Sequence, residues 1–377
     1  MRVLISCGGT GGHINPGLAI ADIIKQKYPD AEFLFAGTPK GMEAKLVPQA
    51  GYRLETIKVA GFQRRISIEN IGRNAKAVAY LVTSGRRAKA IIESFKPDIA
   101  IGTGGYAAGP VIRKAARMGI PTAIHEQNAY PGVTNRLLSK EVDYVMLTVK
   151  EALDFMDKSK FEYSVTGLPV RSNINTISKS EARRKLGFND DFTILSFGGS
   201  LGAGCINETM TAAIKWHYGK KLSINHIHGY GGMGKETFPQ AMEAAGIPLR
   251  SDRLRITEYI NDMDVCLAAA DLVICRSGAS TLAELEAAGK ASILIPSPIV
   301  AGNHQYHNAM VLGKAGAAVV IEQKDVTDDR IISEIEKLYN APDRVEVMSE
   351  SAAALHLSDT NERILAVVEK LIAKGKK

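Results

Sequence analysis

The chain is 377 residues long, 45% hydrophobic and 23% charged, which leaves room for about two domains with cores of their own. Its four cysteines (Cys7, Cys205, Cys266 and Cys275) lie far apart without a C-x-x-C pair, so neither a disulfide framework nor a zinc knuckle is expected. Net charge is +7 and uneven, since residues 1–165 hold 23 Lys and Arg against 15 Asp and Glu and residues 166–377 hold 24 against 25; without an apolar run near ~18 residues or a charged-then-apolar leader, the chain reads as a reduced, cytoplasmic protein with no membrane span.

Val3 to Ser6 reads as a buried strand, and Leu18 to Ile24 as a helix opened by Asn15-Pro16. Between them runs the glycine loop Gly8-Gly9-Thr10-Gly11-Gly12-His13. Strand, glycine loop and helix is the order in which backbone N–H groups close around a phosphate at a helix N-terminus, and glycine lets the anion approach. His13, at the loop's exit, is a residue type that moves protons near neutral pH. The loop is not G-x-G-x-x-G. The next strand, Glu32 to Ala36, runs into Gly37-Thr38 where a dinucleotide fold places a ribose-binding acid, so NAD is not the expected ligand.

A helix near Gly41 to Ala50 and a strand from Leu54 to Val59 follow. Within Lys58–Lys96 nine basic residues stand against Glu69 and Glu93. Such a surface suits nucleic acid, anionic lipid or a phosphorylated ligand, or is simply solvated. In the helix read from Ile71 to Ser94, Ile71, Ala75, Val78, Val82, Gly85 and Ile92 share one stripe, interrupted by Lys89. Opposite lie Arg73, Lys76, Tyr80, Arg87 and Ile91, basic and apolar side chains interleaved as on a membrane-surface site.

Ile99 to Ile101 is a strand ending in a second glycine loop, Gly102-Thr103-Gly104-Gly105-Tyr106, before a helix from Gly109 to Met118. His125-Glu126-Gln127-Asn128 closes the strand Pro121 to Ile124, at the carboxyl end where open α/β sheets bind ligands. Tyr144 to Leu147 and Tyr163 to Thr166 complete a first α/β domain, residues 1–165, and Thr166 to Val170 breaks the pattern as a linker. The second domain, 171–357, restarts the plan: strand Thr193 to Phe197, glycine loop Gly198 to Gly204, helix Ile206 to Ile214. Strands follow at Leu222 to His228, Leu254 to Thr257, Leu272 to Cys275, Ser292 to Ile295 and Ala317 to Ile321, with helices at Ala279 to Ala288 and His304 to Lys314. Asp262-Met263-Asp264 spells D-x-D, a string that holds a metal in other enzymes, and is read here as helix capping without a metal. The last helix, Asn361 to Lys374, follows a break at Leu357-Ser358-Asp359, so residues 358–377 are expected to return to the first domain.

Six motifs stand in order: G-G-T-G-G-H at Gly8–His13, G-T-G-G-Y at Gly102–Tyr106, H-E-Q-N at His125–Asn128, G-G-S-x-G-A at Gly198–Ala203, R-S-G-A at Arg276–Ala279 and H-Q-x-x-N-A at His304–Ala309. In these the chain resembles the family 28 glycosyltransferases over nearly its full length. The resemblance implies the GT-B fold, two facing Rossmann-like domains with an interdomain cleft. It implies inverting transfer of N-acetylglucosamine from UDP-N-acetylglucosamine, a substrate and not a cofactor, to the 4-hydroxyl of the N-acetylmuramoyl unit of undecaprenyl-linked lipid I. The product would be lipid II for peptidoglycan. The implied location is peripheral, on the cytoplasmic face of the cell membrane. The Lys58–Lys96 face would then meet anionic lipid; with no recognised nucleic-acid module, nucleic acid is the weaker partner.

The resemblance further implies a donor set of Thr10, Gly11, Gly12, Asn128, Arg171, Ser200, Ile260, Ala279, Ser280, Thr281, Glu284 and Gln305. Glu284, one turn into a helix, would accept both ribose hydroxyls, or is merely a solvated helix residue. Ser200 with Ser280 and Thr281 would hold the diphosphate, a backbone group beside Ile260 would read uracil, and Gln305 and Asn128 would hold sugar hydroxyls. Arg171 matches only through the string Leu168-Pro169-Val170-Arg171. Gly9, Thr10, Gly11 and Gly12, with Gly104, Gly105 and Tyr106, would receive the acceptor's pyrophosphate. His13 is the candidate base for the attacking hydroxyl, with phosphate orientation as its other reading. Charge on departing UDP would be met by helix N-termini and Ser200. Two rivals remain: a UDP-N-acetylglucosamine 2-epimerase, and a non-catalytic sugar-nucleotide-binding subunit.

Overall fold

The computed structural model describes residues 1–59, 83–171, 173–199 and 201–375. The candidate site residues Arg73, Lys76, Tyr80 and Ser200 lie outside the described residues, as do Ile71, Ala75, Val78 and Val82 of the apolar stripe. The chain divides into two compact units, Met1–Pro169 with Asp359–Lys377, and Val170–Ser358.

The first unit is built on seven strands: β1 (Arg2–Ser6), β2 (Glu32–Gly37), β3 (Arg53–Thr56), β4 (Ile99–Gly102), β5 (Thr122–Glu126), β6 (Tyr144–Leu147) and β7 (Glu162–Val165). All pair in parallel, in the order β3-β2-β1-β4-β5-β6-β7. Such a sheet is apolar on both faces because helices cover both. Val3, Ile5, Phe33, Phe35, Ile99 and Ile101 enter one layer with Ile20 and Ile24 of the helix Gly11–Lys27. Leu4, Leu34, Ala100 and Val145, one residue out of phase, enter the other with Ile92 and Phe95. The helix Thr360–Gly375 lays Ile364, Val367, Val368 and Leu371 on the first layer, and its Arg363 donates to the Val165 carbonyl.

β1 lies between β2 and β4, so the chain leaves it on one side and resumes on the other. Loops at such a switch point open side by side beyond the strand ends. The helix after β1 begins at Gly11, earlier than the apolar period from Leu18 suggests. Thr10 is extended (φ −133°, ψ 158°) and its carbonyl accepts from His13 and Ile14, so the glycines form the first turn and His13 rides on it.

Ile91 corrects the proposed membrane face. In the helical stretch 83–95 the core stripe runs through Ser84, Ala88, Ile91, Ile92 and Phe95, and Ile91 is only 3% exposed. A stripe phased through Gly85 and Ile92 puts Ile91 on the wrong side; spacings of three and four from Ala88 and Ser84 put it inside. Arg87 stays half exposed, with its guanidinium paired to Glu55 at 2.5 Å and donating to the Thr56 carbonyl at 3.1 Å. Among the described residues no helix is long and apolar enough to cross a membrane.

The second unit repeats the plan with β8 (Phe192–Phe197), β9 (Ile224–Gly229), β10 (Leu254–Thr257), β11 (Leu272–Cys275), β12 (Ala291–Leu294) and β13 (Ala318–Val320). The parallel order β10-β9-β8-β11-β12-β13 puts its switch point between β8 and β11. The glycine loop 198–204 leaves β8, and the helix Ala279–Ala288 follows β11, so both reach that point.

Candidate active site

In the first unit the two glycine loops pack on one another. Gly105 (φ 84°) lies so close to the Gly8 main chain that a Cβ there would overlap the Gly8 carbonyl. Gly104 (φ 105°) backs the His13 ring, with a Cβ position 2.8 Å from Nδ1. Both positions exclude side chains by space and by the left-handed backbone. Thr103 Oγ1 donates to the His13 carbonyl at 2.7 Å and ties the first helical turn to the second loop. Tyr106 is 63% exposed beside them.

A residue the sequence reading missed anchors the first loop. Glu43 opens the helix Glu43–Gln49 and is fully buried. Its Oε1 accepts from Thr38 N (2.8 Å) and Thr38 Oγ1 (2.6 Å), and its Oε2 accepts from Gly9 N (3.1 Å). Burial would raise this carboxyl, but the Thr38 and Gly9 hydrogen bonds outweigh it and hold the group below the usual carboxylate range. Gly8, Gly37 and Gly41 line the carboxylate so tightly that none leaves room for a Cβ. The pattern of two glycines around an acid at Gly37, Gly41 and Glu43 was the available signal. A consequence is a correction for Gly9, whose N–H goes to Glu43 and not outward to a ligand. Among the described residues the N–H groups of Thr10, Gly11 and Gly12 make no hydrogen bond, so they are the donors this loop leaves unpaired.

The H-E-Q-N segment ends β5. His125 is fully buried, and burial pushes its pKa down to about 4. Its Nε2 meets the Gly167 carbonyl at 3.0 Å; Gln127 bridges from His125 to His13, whose Nδ1 is 3.0 Å from Gln127 Oε1. Glu126 accepts four hydrogen bonds, from Asn128 N and Nδ2 and from Gly132 N and Asn135 Nδ2. Asn128 thus helps hold the turn through Glu126.

In the second unit, Arg171, Ile260, Thr281 and Glu284 come together around an open pocket, completed by Phe197, Gly199, Gly229, Glu258, Tyr259 and Met263. Arg171 Nε donates to Glu284 Oε1 at 2.7 Å, so the two candidates form a pair. The link to Glu284 raises the Arg171 guanidinium further above its ordinary value. Ile260 is buried against Gly229, and its main-chain N–H and C=O have no hydrogen-bond partner among the described residues. The helix Ala279–Ala288 starts after extended Gly278 with no side-chain cap, leaving the N–H groups of Ala279, Ser280 and Thr281 unpaired among the described residues. Gln305 Oε1 accepts from Ser297 N at 2.9 Å, which turns its NH₂ away from that contact. Phe197, Gly229 and Tyr259 were not foreseen; each closes or follows a strand that ends at the switch-point edge.

Asp262 stands at the N-cap position of the helix Met263–Ala269 but makes no capping bond, contrary to the capping reading. Both its oxygens face Arg255 of β10, at 2.8 and 2.7 Å, and that pairing holds its carboxyl below the usual range. Arg276, from the R-S-G-A motif, donates to the carbonyls of Ile295 and Pro296 and to Gln323, so it braces the strand end.

Two doubly wound parallel-sheet domains, each with a glycine loop at its switch point, have the domain architecture of the GT-B glycosyltransferases. The sequence profiles of the glycosyltransferase family 28 N-terminal and C-terminal domains match residues 3–147 and 193–364. The chain belongs to glycosyltransferase family 28. It is 45% identical over 374 residues to a protein of Acetivibrio thermocellus, covering 99% of this chain and 98% of that one. A protein of Desulforamulus reducens is 41% identical over 376 residues, covering 99% and 100%. Both bear the name UDP-N-acetylglucosamine–N-acetylmuramyl-(pentapeptide) pyrophosphoryl-undecaprenol N-acetylglucosamine transferase. Among solved structures, Acinetobacter baumannii MurG superposes with a TM-score of 0.77 at 27% identity, covering 98% of this chain and 99% of that one.

Proposed function

We propose that this chain transfers N-acetylglucosamine from UDP-N-acetylglucosamine to the 4-hydroxyl of the N-acetylmuramoyl unit of lipid I, with inversion and without a metal, forming lipid II. The observation that carries the reading is the full-length match to relatives named for this transfer. The geometry supplies parts for it. The pocket of the second unit takes UDP: Ile260 offers an unpaired main-chain donor and acceptor for uracil, and Glu284, oriented by Arg171, offers Oε2 to the ribose. The N–H groups of Ala279, Ser280 and Thr281, joined by Ser200, meet the diphosphate and the charge that develops on it. Gln305 presents its NH₂ to the sugar.

In the first unit, Thr10, Gly11 and Gly12 with the Gly104–Tyr106 loop receive the acceptor pyrophosphate, and His13 takes the proton of the 4-hydroxyl. As that oxygen bonds to the anomeric carbon, the bond to UDP breaks and the electron pair leaves with UDP. The pairing of Asp262 to Arg255 supports the metal-free reading, because the first carboxylate of the D-x-D string already has a cation. The excess of basic residues in Lys58–Lys96 supports attachment to an anionic membrane surface, where a polyprenyl acceptor resides. Incubation with labelled UDP-N-acetylglucosamine and a lipid I analogue tests the function. Label in a lipid-linked disaccharide supports it; a free N-acetylmannosamine derivative points to the epimerase, and no turnover to a binding subunit.

A further inference from the structure

A chain of three side chains leads from the core of the first unit to the His13 ring. It starts at the Gly167 carbonyl, which can only accept, so His125 Nε2, 3.0 Å away, carries the hydrogen. Buried His125 is neutral at pH 7, its pKa pushed down to about 4 by burial, so its Nδ1 is bare. Gln127 Nε2 donates to that Nδ1 at 3.1 Å and to the His125 carbonyl at 2.9 Å. Two acceptors on one side thus fix which way round the Gln127 amide sits. Its Oε1 is left facing His13 Nδ1 at 3.0 Å, and an amide oxygen can be satisfied there only by Nδ1–H. The neutral His13 ring then has no hydrogen on Nε2.

We infer that Gln127, held by His125, is a positioning residue that fixes the His13 tautomer and leaves the Nε2 lone pair for the acceptor hydroxyl. This rests on the reading of His13 as the base. Gln127 is 2% exposed and His125 fully buried, so solvent does not compete for these bonds. Gly104 backs the ring and Thr103 pins its main chain, and the ring cannot turn to present the other nitrogen without losing the bond to Gln127. The neighbouring Glu126 takes no part, since its oxygens are held by Asn128, Gly132 and Asn135. Second-layer partners set the tautomer of functional histidines in this way elsewhere. An amide does so without placing a negative charge beside the ring.

Nitrogen-15 NMR of the histidine-labelled full chain tests the inference directly, with the His13 signals assigned by their loss in His13→Gln. In its neutral form the wild-type ring is expected to be protonated on Nδ1 and bare on Nε2. Gln127→Leu, which keeps the volume but removes the acceptor, is expected to shift His13 toward the Nε2–H form. It should lower kcat by roughly 10–100-fold, part of the range of a general base, with the affinity for UDP-N-acetylglucosamine unchanged. Gln127→Met, which keeps the length and flexibility of the side chain should the leucine variant fold poorly, also removes the acceptor and should give the same shift toward the Nε2–H form. A wild-type ring protonated on Nε2, or an unaltered tautomer in Gln127→Leu, overturns the inference. Retained turnover in His13→Gln overturns the base reading instead, and leaves the tautomer assignment to stand or fall on the spectra.

Discussion

Glu43 offers a sharp test of how the first glycine loop is held. Its carboxylate makes three hydrogen bonds, two to Thr38 and one to Gly9 N, in a space shaped by three glycines. In Glu43→Gln the amide keeps its carbonyl oxygen on Thr38, where two donors converge, and turns its NH₂ toward the Gly9 N–H. One charge-assisted bond is lost and two donors face each other. Together these cost about 2–4 kcal/mol. A domain of this size loses about 2–4 °C per kcal/mol, so the unfolding midpoint of the first unit should fall by several degrees. Released from Glu43, the loop no longer holds the N–H groups of Thr10, Gly11 and Gly12 in one array, and kcat/KM for a lipid I analogue should fall. The affinity for UDP should not change, because its proposed pocket is lined entirely by residues of the second unit. Calorimetric unfolding, acceptor kinetics and UDP titration read the three outcomes. A Glu43→Gln protein that unfolds at the wild-type temperature and keeps its acceptor kcat/KM would refute the reasoning.

Other predictions follow from named groups. His217, His226 and His228 are buried around Ser196, with pKa values lowered by burial to about 4, well below normal, and about 3. The folded state therefore binds fewer protons than the unfolded one, and the stabilisation is whole above pH ~6.5 and lost as pH falls from there toward 4. Urea unfolding should show a loss of about 2 kcal/mol for each of His217 and His228 between pH 8 and 5, with His226 acting in the same direction; a flat profile contradicts it. Glu284→Ala should weaken UDP-N-acetylglucosamine by roughly 1.5–3 kcal/mol in calorimetry, whereas unchanged affinity makes Glu284 a structural partner of Arg171 alone. Turnover should persist in excess EDTA; loss with rescue by Mg²⁺ or Mn²⁺ moves the site to Asp264 and a rearranged Asp262. Neutralising Arg73 and Lys76 should weaken binding to anionic vesicles by about 1 kcal/mol each, and wild-type sedimentation with vesicles would show that these two do not meet the membrane.

The glycine loops were legible in the sequence because glycine is the residue that both a positive φ and a close main-chain approach require, as Gly104 and Gly105 show. The alternation of apolar runs and helices carried the two parallel sheets for the same kind of reason, since each strand buries both faces. What escaped depends on contacts between distant elements. Glu43 reaches a loop 34 residues away, and nothing local marks its carboxylate as buried. Asp262 has the position of a cap, but the guanidinium of Arg255 outcompetes the helix N–H groups for it. Ile91 was misplaced because a helical wheel shows the spacing of apolar residues and not which of two adjacent stripes the sheet will cover. The tautomer chain through Gln127 was invisible for a further reason: it needs the return of the chain at Gly167 to supply the carbonyl that orients His125.

The measurement closest to the central claim is the anomeric configuration of the product. UDP-N-acetylglucosamine is an α-linked donor, and attack by the 4-hydroxyl opposite the leaving UDP must give a β-linked disaccharide. Proton NMR of the disaccharide released from a lipid I analogue after turnover should show the large coupling of a β1→4 bond. An α-linked product, or N-acetylmannosamine with no disaccharide at all, would contradict the account.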